Sequence, residues 1–348
     1  MTVLDSKLYN ADLKKVLSGL DLSKIQDKSI LVTGGLGLIC STVVDLLILA
    51  NHEKTLNVHI YLAARSKKRF DDKYSKYKDV SFVEYDALKA LNLNIPVDYI
   101  IYGAGVASPD KYVSEPVETM LSNMTGVKNI LEHAKCNKVK RVMYISSSEI
   151  YGKKQTDDWF TEGVYGTVDL DSIRSSYAIS KQASELLCKS FTSEYGVDTV
   201  IVRPGHIFGP TASKEDKRIS SDFAFKAAKG IPLEIKSSGL QKRSYCYSID
   251  AAAAMLVVLL KGCSGEAYNI CTEEILTIKE MAEIYAQAGK VRLSYAEPTE
   301  KERSAFNPMN NSSLSYRKLE KLGFCKAFTT REALEHTVKI LRDSVLKI

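Results

Sequence analysis

The sequence is poor in metal-binding and cross-linking chemistry. It has five histidines in 348 residues, none at the short spacing of a ligand pair, so no metal site is expected. Its seven cysteines, at 40, 136, 188, 246, 263, 271 and 325, include no Cys-x-x-Cys pair. An odd, scattered set reads as reduced thiols in a cytoplasmic protein. Long hydrophobic runs are missing too. The longest, Ala251 to Leu260, falls well short of the roughly 20 residues of a membrane span. The N-terminal MTVLDSKLYNADLKKVL spreads charges throughout and lacks the apolar core of a secretory leader. There is no internal repeat and no low-complexity tract. The formal net charge of +6 suits an anionic small ligand. It is too weak to argue for nucleic acid, and no basic-aromatic surface pattern supports one.

What is present is an alternation of strands and helices. Residues 4–20 have the spacing of an amphipathic helix ahead of the core. Strand-like runs follow at Ser29–Thr33, Val58–Ala63, Val80–Tyr85, Val97–Tyr102, Val139–Ile145 and Asp198–Val202. Helical patterns fall at Leu36–Ala50, Val113–Lys135 and Tyr177–Tyr195. That rhythm predicts an α/β fold, a Rossmann-type doubly wound parallel sheet covered on both faces. After Pro204 prolines and glycines become denser and segments shorter, with helices again at Ile278–Ala288 and Thr330–Val345. The expected organisation is a dinucleotide-binding domain over 1–204 and a smaller mixed α/β substrate domain over 205–348. Part of 246–275 is expected to pack back on the first domain. The basic stretch 65–78 reads as a solvated connection.

Thr33-Gly34-Gly35-Leu36-Gly37-Leu38-Ile39-Cys40 follows the first strand and opens a helix. Glycines there let a backbone approach a pyrophosphate, and the helix N-terminus offers free N–H groups. Cys40 fills the last small-residue position. The second strand ends Ala63-Ala64-Arg65-Ser66, with no acid for an adenosine ribose. Arg65 there favours a 2′-phosphate, hence NADP over NAD. Asp86, after the third strand, is placed for the adenine or for a turn of its own.

Tyr177-Ala-Ile-Ser-Lys181 opens a helical pattern, and a spacing of four puts both side chains on one face. An ammonium beside a phenol lowers its pKa from about 10 and makes it usable as a base. The same spacing recurs at Tyr74-Ser-Lys-Tyr-Lys78, which lies in the charged stretch and reads as surface. Tyr177 differs because it follows a strand ending in Ser146-Ser147-Ser148-Glu149.

Taken together, TGGLGLIC, Asn123 in SNMTGVKNILEHA, RVMYISSSEIYG, SSYAISK, RPGHIFGP, SSGLQKRSYCYSID and YRKLEKLGF resemble the extended short-chain dehydrogenase/reductases. The resemblance is to their nucleotide-sugar epimerase/dehydratase branch. It implies a cofactor site of Gly34, Gly35, Leu36, Gly37, Leu38, Ile39, Arg65, Asp86, Ala87, Ala104, Asn123, Tyr177 and Lys181. It implies that Ser147 binds the sugar 4-hydroxyl and Tyr177 takes its proton while hydride leaves carbon 4. Lys181 then holds the cofactor ribose, and Asn123 supports the lysine through water. The substrate residues implied are Ser147, Ser148, Glu149, Tyr177, His206 and Arg243, the last gripping the diphosphate. His206 stands where the family usually has asparagine.

Glu149 adds a second carboxylate-based function. A 4-ketone acidifies carbon 5, and a glutamate at this position resembles that of 4,6-dehydratases and UDP-glucuronate decarboxylases. Ser148 departs from the aspartate of dTDP-glucose dehydratases; Ser-Glu is similar instead to GDP-mannose dehydratases and to the uronate decarboxylases. Arg174-Ser-Ser-Tyr177 is similar to the decarboxylases and Arg65 leans toward the GDP-mannose type, so the cues conflict between dehydratase and decarboxylase. The expected function is an NAD(P)-dependent nucleotide-sugar lyase. The alternatives are a 4-epimerase with a structural Glu149 and a non-catalytic dinucleotide sensor. The resemblance also implies a homodimer through helices near 115–135 and 177–195.

Overall fold

The computed structural model describes residues 2–89, 95–300 and 310–345. Seven strands form the main sheet: β1 (Ser29–Thr33), β2 (His59–Ala64), β3 (Val80–Glu84), β4 (Tyr99–Tyr102), β5 (Arg141–Ile145), β6 (Thr199–Pro204) and β10 (Ala267–Ile270). Their order is β10-β6-β5-β4-β1-β2-β3, and every neighbouring pair is parallel. The chain therefore winds one way from β1 to β3 and the other way from β4 onward. The crevice beyond the strand ends at that reversal is where open α/β sheets take ligands. The central strands are apolar along their whole length because helices cover both faces.

The covering helices follow from their sequences. Helix α2 (Leu38–Lys54) starts at Gly37 and is apolar on nearly all sides. It is sandwiched between β1 and α8 (Ser248–Lys261), which is buried over all but its last residue. Helix α8 and β10 bring the chain back from the second group of elements onto the main sheet. On the other face lie α5 (Pro116–Asn137) and α6 (Ser175–Tyr195), packed side by side. The expected single helix from 113 breaks in two. Pro116 forces Glu115 out of the helical region, to φ −135° and ψ 56°, so a short α4 (Pro109–Ser114) precedes α5.

The second group holds β7 (His206–Phe208), β8 (Leu233–Ile235), β9 (Lys242–Tyr247), β11 (Ile275–Thr277), β12 (Leu293–Tyr295) and β13 (Asn311–Ser312). Strand β9 pairs with β7, β11 and β13, and β8 pairs with β12. Helices α7 (Ile219–Ala228), α9 (Ile278–Gly289) and α10 (Thr330–Ile340) pack together around these strands.

Two expectations about the charged segments need correction. The N-terminal helix α1 (Lys7–Ser18) is part of the core, with Tyr9, Leu13, Val16 and Leu17 buried against α2 and α8. Residues 65–78 are not a solvated connection, and Tyr74 is not on the surface. Ser66 caps α3 (Lys67–Tyr74), and Phe70 and Tyr74 are its buried face. Tyr74 donates to Asp45 at 2.8 Å. Asp45, fully buried in α2, also accepts from Tyr9 at 2.8 Å and from Lys73 at 3.0 Å. An aspartate inside an apolar helix needs such partners, and they come from the segments that looked peripheral.

Candidate functional site

The glycine turn is built for close approach. Gly34 has φ +68°, and a Cβ there would sit 2.7 Å from the Gly103 carbonyl oxygen after β4. The hydroxyl of Thr33 accepts from the N–H groups of Gly103 and Ala104, at 3.0 Å each, locking the ends of β1 and β4 together. Gly37 precedes α2 without a side-chain cap, so the first N–H groups of that helix are left for a ligand. Cys40 is buried against Gly103, where any Cβ would meet its sulfur at 2.4 Å. Burial pushes its thiol up to about 12, so it packs as a small apolar residue.

Around that turn, Arg65 is exposed just beyond β2. Arg69, which the sequence did not single out, donates to the Leu36 carbonyl at 3.2 Å and brings a second cation to the loop. Asp86 accepts from the Leu88 N–H at 3.0 Å, so its carboxylate caps its own turn. Ala87 packs beneath it against Gly126. Asn123 is fully buried in α5 and reaches α6 by donating to Ser180 at 3.0 Å. Its Oδ1 is buried and has no hydrogen-bond partner. A Cβ on Gly105, whose φ is +150°, would meet that oxygen at 2.4 Å. These residues fit a nicotinamide dinucleotide: an uncapped helix N-terminus, a glycine cradle at the sheet reversal and a lysine beyond it.

That lysine is Lys181. It is buried in α6 and donates to the Ile145 carbonyl at the end of β5, at 2.8 Å. Its ammonium lies 5.8 Å from the Tyr177 ring centre and 4.9 Å from that of Tyr144. Burial pulls Lys181 down to about 8, and it pushes Tyr177 up to about 12 with the Glu149 charge adding to the rise. The expected lowering of the phenol by the lysine is therefore not seen, because desolvation and the Glu149 charge raise it. The neighbouring Ser147 and Tyr112 hydroxyls pull Tyr177 back in part.

Strand β5 delivers the serines. Ser146 is buried, Ser147 is half-buried and starts a 3-10 turn over Ser148–Tyr151, and Ser148 is buried beneath it. Gln182 of α6 holds that turn through the Ile150 carbonyl at 2.7 Å. Glu149 is clamped: Arg174 makes two parallel hydrogen bonds to its oxygens, at 2.8 and 3.0 Å. Such forked pairs are the strong kind of ion pair. Arg243 on β9 is buried, and Glu149 acts on it electrostatically. His206 on β7 bonds Ser312 at 2.9 Å, and burial followed by the Arg243 charge lowers it to about 3, so it is a neutral ring.

The structure thus brings Ser147, Glu149, Tyr177 and Lys181 together at the ends of β5 and α6. Two residues join them unforeseen. Tyr112 of α4 stacks on Tyr177 at 4.1 Å and 8°. Arg218, paired with Asp216, stands ahead of α7 and acts electrostatically on both phenols. Arg203 of β6 is buried and pairs with Glu185 at 2.7 Å, a structural tie between sheet and α6. Tyr112 carried one usable signal: it follows Pro109 at the head of a helix just past a strand end.

A family model decides the ancestry. The NAD dependent epimerase/dehydratase family matches residues 30–271. The chain belongs to this family. Among its relatives, UDP-glucuronic acid decarboxylase 6 of Arabidopsis thaliana is 31% identical over 254 residues, covering 73% of this chain and 72% of that protein. UDP-glucuronic acid decarboxylase 1 of Danio rerio is 29% identical over 263 residues, 76% of this chain. The match spans only 61% of the length of that relative. Among solved structures, UDP-glucose 4-epimerase of Thermus thermophilus in complex with NAD superposes with a TM-score of 0.75 at 23% identity, covering 90% of this chain and 99% of that one. That likeness establishes the epimerase/dehydratase fold. Among the described residues, no helix is long and apolar enough to cross a membrane.

Proposed function

We propose that this protein is an NAD(P)-dependent nucleotide-sugar lyase of the uronate decarboxylase kind, working through a transient ketone at sugar carbon 4. The observation that carries this reading is the Arg174–Glu149 clamp beside Ser147 and Tyr177. A 4,6-dehydratase needs a base to remove the carbon-5 proton. To act as one, Glu149 would first have to leave its arginine, and parting a partly buried forked pair costs several kcal/mol. Loss of carbon dioxide from a 4-keto uronate needs no such base. The electrons of the breaking C5–C6 bond flow into the ketone, and the enolate is then protonated at carbon 5. The cluster of Arg174, Arg218 and Arg243, three cations against the carboxylates of Glu149 and Asp216, also favours an anionic sugar.

In this reading Ser147 holds the 4-hydroxyl and Tyr177 takes its proton. Lys181 holds the cofactor ribose. Arg243 and neutral His206 face the nucleotide diphosphate. A dinucleotide held by these residues would supply the hydride acceptor and donor for carbon 4, and its oxidised ring would add a positive charge that favours the phenolate. Arg65, with Arg69 behind it, supports a preference for NADP. Residues 205–348 serve as the nucleotide-sugar domain, with 246–275 packed back on the first. The exposed apolar side chains Val117, Leu121 and Met124 of α5 and Leu186 of α6 support a homodimer through these helices.

Mass spectrometry of products from UDP-glucuronate, UDP-glucose and GDP-mannose in heavy water tests the reading. Loss of carbon dioxide from UDP-glucuronate alone, with one deuterium entering, is expected. Loss of water from a neutral sugar would make the protein a dehydratase. A mass-neutral isomer that persists in Glu149→Gln would make it an epimerase. No turnover with the dinucleotide still bound would make it a sensor.

A further inference from the structure

Tyr112 is the feature of this site that the proposed chemistry leaves unused. Its ring lies 4.1 Å from that of Tyr177 and within 8° of parallel. Among the described residues no other aromatic pair is so close or so flat. The next closest, His59 with Tyr61, is 4.5 Å apart and tilted by 58°. Parallel stacking of this kind is a favourable aromatic contact, and it fixes the plane of one ring against the other. Both rings are buried.

The fixings are local. Pro109 starts α4 and aims Tyr112 toward α6. The hydroxyl of Ser176, the residue before Tyr177, donates to the Tyr112 carbonyl at 3.2 Å. The guanidinium carbon of Arg174 lies 5.8 Å from the centre of the Tyr112 ring. The two rings are thus tied through adjacent backbone and cannot slide independently.

We propose that Tyr112 is a positioning residue for Tyr177, fixing the plane of the reacting phenol with its ring and donating a hydrogen bond to the Tyr177 oxygen as that oxygen loses its proton. This rests on Tyr177 being the base. The interaction of the two hydroxyls has the matching sense. Burial raises both phenols, and the interaction between the two hydroxyls lowers Tyr177 and raises Tyr112, the sense expected of a Tyr112 hydroxyl that donates once Tyr177 is ionised. Other groups that face Tyr177 are Ser147 after β5, Glu149 in the turn that follows, Arg174 and Lys181 on α6, Arg218 ahead of α7 and Tyr144 on β5. The charges among them mix in sign, so Tyr112 supplies a neutral donor that stabilises the phenolate without adding a cation that the sugar's anionic groups would compete for.

The test uses the full chain with NAD+ added and UDP-glucuronate as probe. Tyr112→Phe keeps the ring and deletes the hydroxyl, and Tyr112→Leu deletes the ring. Two readouts are needed: the pH dependence of kcat and KM, and the titration of Tyr177 by NMR with 13Cζ-labelled tyrosine, assigned with Tyr177→Phe. Tyr112→Phe is expected to move the acid limb of kcat and the Tyr177 titration up together by about one pH unit, tenfold in rate below it, with KM within about twofold. Tyr112→Leu should cost more in kcat than Tyr112→Phe. An unmoved Tyr177 titration in Tyr112→Phe, with only KM raised, would overturn the proposal and leave Tyr112 a substrate contact. Full turnover by Tyr177→Phe would instead remove the base assignment on which the proposal stands.

Discussion

The chain contains Tyr-x-x-x-Lys at Tyr74–Lys78, Tyr85–Lys89 and Tyr177–Lys181; the first and last start on a helix, and both of their tyrosines are buried. A spacing of four places two side chains on one face only if a helix runs through both. Helix α6 runs from Ser175 to Tyr195, so Lys181 stands one turn beyond Tyr177. Helix α3 ends at Tyr74, so Lys78 is off the helix and exposed. The partners differ as well. Tyr74 donates a hydrogen bond to the carboxylate of Asp45, and burial and that anion both raise it well above an ordinary phenol. Tyr177 has hydroxyl partners that can follow a phenolate. The same four-residue pattern yields a structural hydrogen bond in one place and a titratable group at a sheet edge in the other. What separates them is the continuation of the helix and the kind of partner, a carboxylate for Tyr74 and neighbouring hydroxyls for Tyr177.

The largest expected effect breaks the pair apart. Tyr177→Phe should lower kcat for the sugar nucleotide by about 10²–10⁴, the scale of a lost general base. Tyr74→Phe should leave kcat within about twofold and lower the melting temperature, because Asp45 loses a donor. Equal losses of kcat in both variants would dissolve the distinction.

Next in size is the anion beneath Tyr74. Asp45→Asn leaves the Lys73 ammonium without its carboxylate and should cost roughly 3 kcal/mol of stability by urea unfolding. Turnover per folded molecule should stay unchanged, since the node touches α1, α2 and α3 and none of the reacting groups.

How much of this was legible follows from which interactions are local. The parallel sheet, the glycine turn and the serine loop were readable because strand burial and turn chemistry are written in neighbouring residues. Ser147, Tyr177 and Lys181 were found by their order along the chain. Tyr74 was misplaced because the aspartate that buries it lies 29 positions earlier, in a helix whose pattern looks wholly apolar. Tyr112 was missed for the same reason: its partner is on another helix, and its place behind Pro109 marks the start of a helix but not the contact. The Arg174–Glu149 clamp joins positions 25 apart. Both residues had been noted, but nothing in the sequence said that they would meet.

The smallest effect sharpens the comparison from the lysine side. Lys181 is buried, no carboxylate among the described residues bonds its ammonium, and burial lowers it to about 8. A lysine depressed by folding contributes full stability only above its unfolded value near 10.4. That contribution fades as pH falls and is gone once pH is below the folded value of about 8. The ligand-free protein at pH 7 therefore carries the cost of a charged, poorly solvated ammonium. Lys181→Met removes the charge but leaves the Ile145 carbonyl short of a donor, so the net gain should be about 1 kcal/mol at pH 7. The gain should shrink between pH 8 and 10 in thermal unfolding without cofactor, while turnover is lost at every pH. Lys78→Met, on an exposed lysine past the end of its helix, should change neither turnover nor stability. A Lys181→Met protein that is less stable at pH 7 would show that the hydrogen bond to Ile145 outweighs the buried charge, and that this lysine, like Tyr74, is there to hold the fold.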